Sequence, residues 1–255
     1  MRSNEESRGS SEVATHRAAR SSHRRKVLVG AAAASALALA AGGAWLLFGS
    51  GEDGPKPKPL VLPANVSGTQ GTVVTQGKLD AQHTIQVFMD PRCPACASTQ
   101  KVLGRTIREL ADKGTHKVEY HFVAFTDKSL GGTGSKQALN ALGAAANESP
   151  EKFLDFVTVL YENQPAVPRD DKFSSSETLL RLADKVEGLR TPAFEKAVNE
   201  LTYEPWAEKA TKVFKDAGVT STPTVHLDGH PITVLQPGGQ PVPVKNFTQQ
   251  VTKSA

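Results

Sequence analysis

The chain has 255 residues, an ordinary globular composition with 38% apolar residues, and a formal net charge of +4, enough for one substantial core with a subdomain. Residues 1–26 hold seven of the 30 Lys/Arg and three of the 26 Asp/Glu, so residues 27–255 carry 23 charges of each sign and no net charge. The basic excess is confined to the N-terminal arm, and the charge balance gives no ground for nucleic-acid binding by the folded part.

In chain order, residues 1–23 are rich in Ser, Arg and Glu with almost no large apolar side chain, the composition of a disordered arm. The arm runs to Arg24-Arg25-Lys26 and meets an uncharged stretch from Val27 to Phe48. At the helical rise this stretch is long enough to span a hydrocarbon core with some tilt. Cations before it and none just after it place the N-terminus in the cytoplasm, with Trp45 and Phe48 at the far interface. A cleaved signal is the alternative. Ala36-Leu37-Ala38 and Ala38-Leu39-Ala40 fit a small-x-small cleavage site, and Arg24-Arg25 before Val27-Leu28 resembles a twin-arginine signal. Against cleavage, the apolar run continues through Trp45-Leu46-Leu47-Phe48. Either way the following domain is exported. Residues 49–63, with Pro55-Lys56-Pro57-Lys58-Pro59, read as a semi-extended spacer.

The folded domain is expected over residues 64–255. Thr72–Thr75 is a short candidate strand, Lys78–Ala81 a turn, and His83–Met89 a strand leading to Cys93-Pro94-Ala95-Cys96. Ala97–Lys113 reads as a helix stopped by Gly114. Lys117–Phe125 alternates and then becomes apolar, as a largely buried strand does. From about residue 135 to 216 the pattern is helical only, with segments Lys136–Asn147, Glu151–Glu162, Ser176–Glu187 and Pro192–Ala217. Pro150 and Pro192 sit at helix starts, where a missing N–H costs nothing. Phe153, Phe156 and Leu160 form the core stripe of one of these helices. Gly131-Gly132-Thr133-Gly134-Ser135-Lys136 lacks the spacing of a phosphate loop and reads as a connector. Pro223–Leu227, a turn at Asp228-Gly229, Ile232–Leu235 and a helix over Val244–Thr252 complete a β-β-α-β, helical insert, β-β-α order.

Cys93 and Cys96 are the only cysteines. A structural zinc site takes four ligands, and no second pair exists here. His226 and His230 have a ligand-like spacing, but a turn separates them. A purely structural bridge would close a very small loop, for which chain entropy gives little stability. Two cysteines on the first turn of a helix suit reversible chemistry. Helix N–H groups and the dipole favour the first thiolate, and the second thiol attacks the resulting mixed disulfide.

The strand–Cys93-Pro94-Ala95-Cys96–helix arrangement with its lead-in Phe88-Met89-Asp90-Pro91-Arg92, the helical insert, and Gly218-Val219-Thr220-Ser221-Thr222-Pro223-Thr224-Val225 together resemble a thioredoxin-fold protein of the DsbA-like class. The resemblance covers about residues 64–253. It implies an α/β thioredoxin fold with a helical insertion over about residues 135–216, following the single N-terminal transmembrane helix expected over residues 27–48. It further implies that Cys93 is the nucleophile and Cys96 the resolving cysteine, with Pro94 and Ala95 between them, and that Pro223 is a cis-proline preceded by Thr222 at a peptide-receiving edge. No cofactor beyond the Cys93–Cys96 disulfide is implied. The partners expected on this resemblance are exported cysteine-containing proteins and a DsbB-like or vitamin K epoxide reductase-like membrane oxidant. The chain departs from familiar members: DsbA itself has a histidine between its cysteines, and thioredoxin has a tryptophan where Arg92 stands. Arg92 is either a thiolate-stabilising cation or a solvated loop charge. Asp90 and Glu119 are the candidate proton acceptors, Asp90 also fitting a turn role and Glu119 a strand pair. His121 and His226, on strands, are expected to be packed. Beside the oxidase reading stand a reductase or isomerase and a non-catalytic peptide-binding module.

Overall fold

The computed structural model describes residues 57–253. The basic arm, the apolar run 27–48 and the first part of the spacer lie outside the described residues. No helix among the described residues is long and apolar enough to cross a membrane. The end of the spacer is already docked. Lys58 Nζ donates to the Glu200 carbonyl (2.9 Å) and pairs with Glu204 (3.3 Å). Pro63 is buried, and Ala64 N donates to Asn147 Oδ1 (3.1 Å).

A five-stranded sheet orders the domain. Its strands are β1 (Val74–Gln76), β2 (His83–Met89), β3 (His116–Phe122), β4 (Thr224–Leu227) and β5 (His230–Ile232), in the spatial order β1-β3-β2-β4-β5. β2 and β3 pair in parallel, from His83 opposite His116 to Met89 opposite Phe122. Helix α1 (Pro94–Asp112) makes the crossover between them. The other strand pairs are antiparallel. The alternation in β2 and β3 turns Ile85, Val87, Met89, Val118, Tyr120 and Phe122 into the main core, where Leu103 and Ile107 of α1 meet them. Each such buried aliphatic side chain contributes about 1.5–3 kcal/mol. Phe88 takes the opposite face, in a smaller cluster with Val123, Phe214 and Val219. α1 stops at Gly114, whose φ of 71° suits a residue without a Cβ. The β4–β5 turn has φ 50° at Asp228 and 81° at Gly229, the left-handed pair that Asp-Gly hairpins supply.

The insert comprises α2 (Thr126–Leu130), α3 (Gly134–Glu148), α4 (Pro150–Glu162), a 3₁₀ turn at Lys172–Ser174, α5 (Ser176–Ala183), α6 (Pro192–Asn199) and α7 (Glu204–Asp216); α8 (Val244–Lys253) closes the chain. Phe153, Phe156 and Leu160 are buried, as their stripe predicts. The single helix expected over Pro192–Ala217 is in fact two. Pro205 has no N–H to bond to Leu201, and its ring crowds that carbonyl; Leu201 turns to φ 54°. Tyr203 N finds Asn140 Oδ1 instead (2.8 Å). The strand expected to reach Phe125 ends at Phe122, because its neighbour β2 ends at Met89. Beyond it, Val123 N still reaches Met89 O (3.0 Å), while Ala124 N turns to Thr211 Oγ1 (3.0 Å). The last strand also ends early, at Ile232, and Leu235 forms only an isolated bridge with Pro241.

Candidate active site

The site begins with a turn. Asp90 leaves β2, its Oδ1 accepts from Arg92 N (2.9 Å), and its carbonyl accepts from Cys93 N (3.1 Å). This side-chain-to-backbone turn is one that Asp favours. It delivers Cys93 to the N-cap of α1 in an extended conformation, with Pro94 and Ala95 opening the helix and Cys96 one turn in. Cys93 is half-buried and Cys96 is 0% exposed.

The loop before β4 closes over this turn. The Thr222–Pro223 peptide is cis, and the Thr222 carbonyl accepts from Cys93 Sγ (3.4 Å). The structure thus brings Thr222 and Pro223 to Cys93 from 129 residues away.

The two thiols are driven apart electrostatically. A hydrogen bond from Cys96 is the largest influence on Cys93 and lowers it from the usual 9.0 to about 7, against the opposing pull of burial. The Cys96 backbone and the Thr222 hydroxyl lower it further, while the charge of Asp90 acts upward. That hydroxyl is buried and makes no hydrogen bond among the described residues. Burial first, and then the hydrogen bond and charge of Cys93, push Cys96 well above the ordinary thiol range. One sulfur is therefore poised to ionise and the other to hold its proton.

Arg92 proves to be neither a solvated charge nor a neighbour directed at the thiolate. Its side chain is 3% exposed, and its guanidinium pairs with Asp127 (2.6 Å) and Asp171 (3.0 Å). It also donates to the carbonyls of Gly131 (2.8 Å) and Pro168 (3.4 Å). The same two carboxylates cap α3. Asp171 accepts from Thr133 N and Gly134 N, and Asp127 from Ser135 N and Lys136 N, all within 3.0 Å. The glycine-rich connector is thus a helix N-terminus whose anion site is filled by the chain's own carboxylates. A Cβ at Gly132 or Gly134 would collide with Asp171.

Asp90 is 0% exposed. Burial raises its pKa, while donors from Thr126, Ser135 and Arg92 pull the other way. Its carboxylate accepts from Thr126 N (2.8 Å), Ser135 Oγ (2.7 Å) and Arg92 N, which ties it to the starts of α2 and α3. Glu119 lies on the other face of the sheet, paired with Lys117 (2.9 Å). His121, then burial acting upward, then Lys117 and Gln86 leave it at about 2. His121 and His226 pack against Phe88, with ring centroids 4.5 and 5.3 Å from it.

Two residues of the site escaped the sequence reading. Tyr161, buried at the end of α4, donates its hydroxyl to the Asp90 carbonyl (3.0 Å). Gln164 donates Nε2 to the carbonyls of Pro91 (2.8 Å) and Cys93 (3.2 Å). Together with Arg92 they tie the cysteine turn to the insert at several points. A phenol extending the apolar Phe153–Leu160 stripe was the one available signal; Gln164 offered none.

Comparison with known proteins gives one consistent picture. The family model described as thioredoxin matches residues 69–250. The "Disulfide bond formation protein D" of Bacillus subtilis (strain 168) is 26% identical over 153 residues, covering 60% of this chain and 66% of that protein, just under two thirds of its length. Among solved structures, the MdbA protein from Actinomyces oris, a thiol-disulfide oxidoreductase, superposes with TM-score 0.62 at 23% identity, covering 76% of this chain and 90% of that one. BdbD from Bacillus subtilis gives 0.58 at 22% identity, covering 76% and 98%. The oxidised Mtb DsbA gives 0.54 at 27% identity, covering 66% and 83%.

Proposed function

This chain belongs to the thioredoxin family, and on that premise we propose that it is an extracytoplasmic thiol-disulfide oxidoreductase that oxidises cysteines of exported proteins through Cys93 and Cys96. The observation that carries the thiol-exchange chemistry is the half-buried Cys93 at the N-cap of α1 against the Thr222 carbonyl, with its thiol lowered to about 7 and that of Cys96 held well above the ordinary range.

In this reading the resting protein holds the Cys93–Cys96 disulfide. A client thiolate attacks Cys93 Sγ, the Cys93–Cys96 bond breaks, and Cys96 leaves and takes up a proton in its buried position. A second client thiolate then attacks the client sulfur of the mixed disulfide and expels Cys93. Cys93 leaves readily because its thiol is acidic. The client is oxidised by two electrons, and the Cys93–Cys96 pair is reduced by two. The Thr222 carbonyl beside Cys93 marks the backbone edge along which the client strand lies. A DsbB-like or vitamin K epoxide reductase-like quinone reductase in the membrane restores the disulfide. The apolar run 27–48, as an uncleaved anchor or a cleaved signal, exports the domain.

Magnitude bears on direction. A thiol at about 7 is the poise of thioredoxin; that of DsbA, a strong oxidant, lies near 3.5. At pH 7 the shift from 9.0 to about 7 stabilises the dithiol by about 0.4 kcal/mol, roughly 9 mV on a scale where about 30 mV is 1.4 kcal/mol. The thiolate alone does not make a strong oxidant, so the direction of flow depends on what reoxidises the pair. This same observation keeps a reductase as the second reading. The test mixes the oxidised full-length protein with a reduced, unfolded client carrying two cysteines. Stoichiometric client oxidation is expected and is lost in Cys93→Ser; Cys96→Ala preloaded as a Cys93–thionitrobenzoate mixed disulfide should form a Cys93–client mixed disulfide with a single-cysteine client, as the client thiolate attacks Cys93 Sγ and thionitrobenzoate leaves. Client oxidation that survives Cys93→Ser overturns the mechanism.

A further inference from the structure

A furrow opens beside the loop that meets Cys93, on the sheet face opposite α1. Its floor is apolar: the rings of Phe125 and Phe214 stack at 5.9 Å and 20°, and Val219 completes it. Phe125 stays half-buried. The hollow encloses about 580 Å³ and ends at Thr220. A second hollow of about 210 Å³ continues it along α7, sharing Ala124, Thr211 and Lys215 and ending at Lys136 and Glu208.

The charges on its rim have one sign left over. Lys136 is paired with Glu204 (2.8 Å) and Lys212 with Asp216 (2.8 Å). Lys128 and Lys215, which flank the aromatic floor and are exposed, have no carboxylate partner among the described residues. The neighbouring Asp127 is committed to Arg92 and to the start of α3.

We propose that this furrow binds the client polypeptide beside its reacting cysteine, taking an apolar side chain on the Phe125–Phe214 floor and an acidic residue between Lys128 and Lys215. This rests on the oxidoreductase reading and adds a client class to it. Continuity supports that occupant. Thr220 stands two residues before Thr222, whose carbonyl touches Cys93 Sγ, so the furrow begins within about 7 Å of chain from that contact. From Lys215 back to Glu208 the helix runs seven residues, about 10 Å at the helical rise, which accommodates about three residues of extended peptide. An aromatic floor with surplus cations beside a reacting sulfur fits an unfolded segment with acidic residues.

The experiment uses reduced dithiol peptides that differ only in the residues beside the cysteine, Phe-Glu against Phe-Lys and Ser-Glu, with dithiothreitol as a small reductant. The oxidised full-length protein is expected to favour the Phe-Glu peptide over Phe-Lys by about tenfold in the second-order rate constant of a single turnover at low salt, the scale of two partly exposed ion pairs. That ratio should shrink as salt rises. The double reversal Lys128→Glu/Lys215→Glu should invert the acid–lysine preference, and Phe125→Ser should remove the Phe-over-Ser preference, both with dithiothreitol exchange unchanged. Equal rates for all peptides, with dithiothreitol exchange intact, overturn the furrow and leave the oxidoreductase reading standing. A protein that exchanges with neither dithiothreitol nor peptides overturns that reading and the furrow with it. Unaltered peptide ratios in the double reversal, with loss of a concentration-dependent dimer, would assign the furrow to a second copy of the chain and also overturn the proposal.

Discussion

Removing the Arg92 side chain separates two roles that its position next to Cys93 leaves open. As a structural tie, its guanidinium joins the cysteine turn to Asp127, Asp171 and two carbonyls of the insert. Breaking a buried ion pair by deleting one partner typically costs about 3–5 kcal/mol, because the remaining charge stays buried. Here the stranded carboxylates keep four backbone N–H donors at the start of α3, which puts Arg92→Ala near the lower end, about 3 kcal/mol. For a domain of this size that lowers the melting midpoint by about 6–12 °C. Arg92→Lys should fall between, since an ammonium cannot bridge both carboxylates and both carbonyls. The Cys93 pKa, in contrast, should move little, because the guanidinium is spent on Asp127 and Asp171. The assay is thermal unfolding of the reduced protein, with the Cys93 thiolate titrated by its ultraviolet absorbance on the same samples. A midpoint within about 2 °C of wild type, together with a rise of about one unit or more in the Cys93 pKa, would refute the structural reasoning.

Alkylation of the reduced protein by iodoacetamide should be half-maximal near pH 7, rising with pH as Cys93 ionises; a midpoint near the ordinary 9.0 would remove the basis of the thiol split. The linked stability has a definite sign. Cys93 is depressed below its unfolded value, so its contribution to the dithiol form is present above about pH 8.5–9 and is lost as pH falls through about 7. Asp90→Asn removes the charge that acts upward on Cys93, so the same titration should shift further down; an upward shift contradicts the placement of that carboxylate. Gly134→Ala sets a Cβ against Asp171 and Arg92 and should destabilise the protein by about 1–3 kcal/mol, the range for overpacking, read as the urea midpoint, which an unstrained helix start would leave unchanged.

Much of the frame was legible because local rules and tertiary structure agree. The β2 and β3 alternation, the Gly114 stop, the Asp228-Gly229 hairpin and the proline-started α4 and α6 each follow from one residue's backbone preference or from one apolar stripe. The break at Leu201 was equally legible in Pro205, which a reading based on periodicity passes over. The supports of the cysteine turn were not. Arg92, Asp127 and Asp171 are polar residues in loops or at a helix start, and sequence separation alone gives no sign that they converge on the first turn of α3. Their composition describes a solvated connector, whereas the fold buries Arg92 and closes the connector's anion site with two of the chain's own acids. Tyr161 and Gln164 act on the turn through its carbonyls, and hydrogen bonds to backbone leave no pattern in the donor's own sequence.

The central claim is most directly tested by the redox state of Cys93 and Cys96 in resting cells of the native organism. Rapid acid quenching, followed by alkylation with a mass-tagging maleimide, counts the free thiols on each chain. An oxidase predicts a chain that is predominantly untagged, gaining two tags only after prior reduction. A chain that carries two tags directly from the cell would contradict the oxidising direction and assign the domain to the reductase reading.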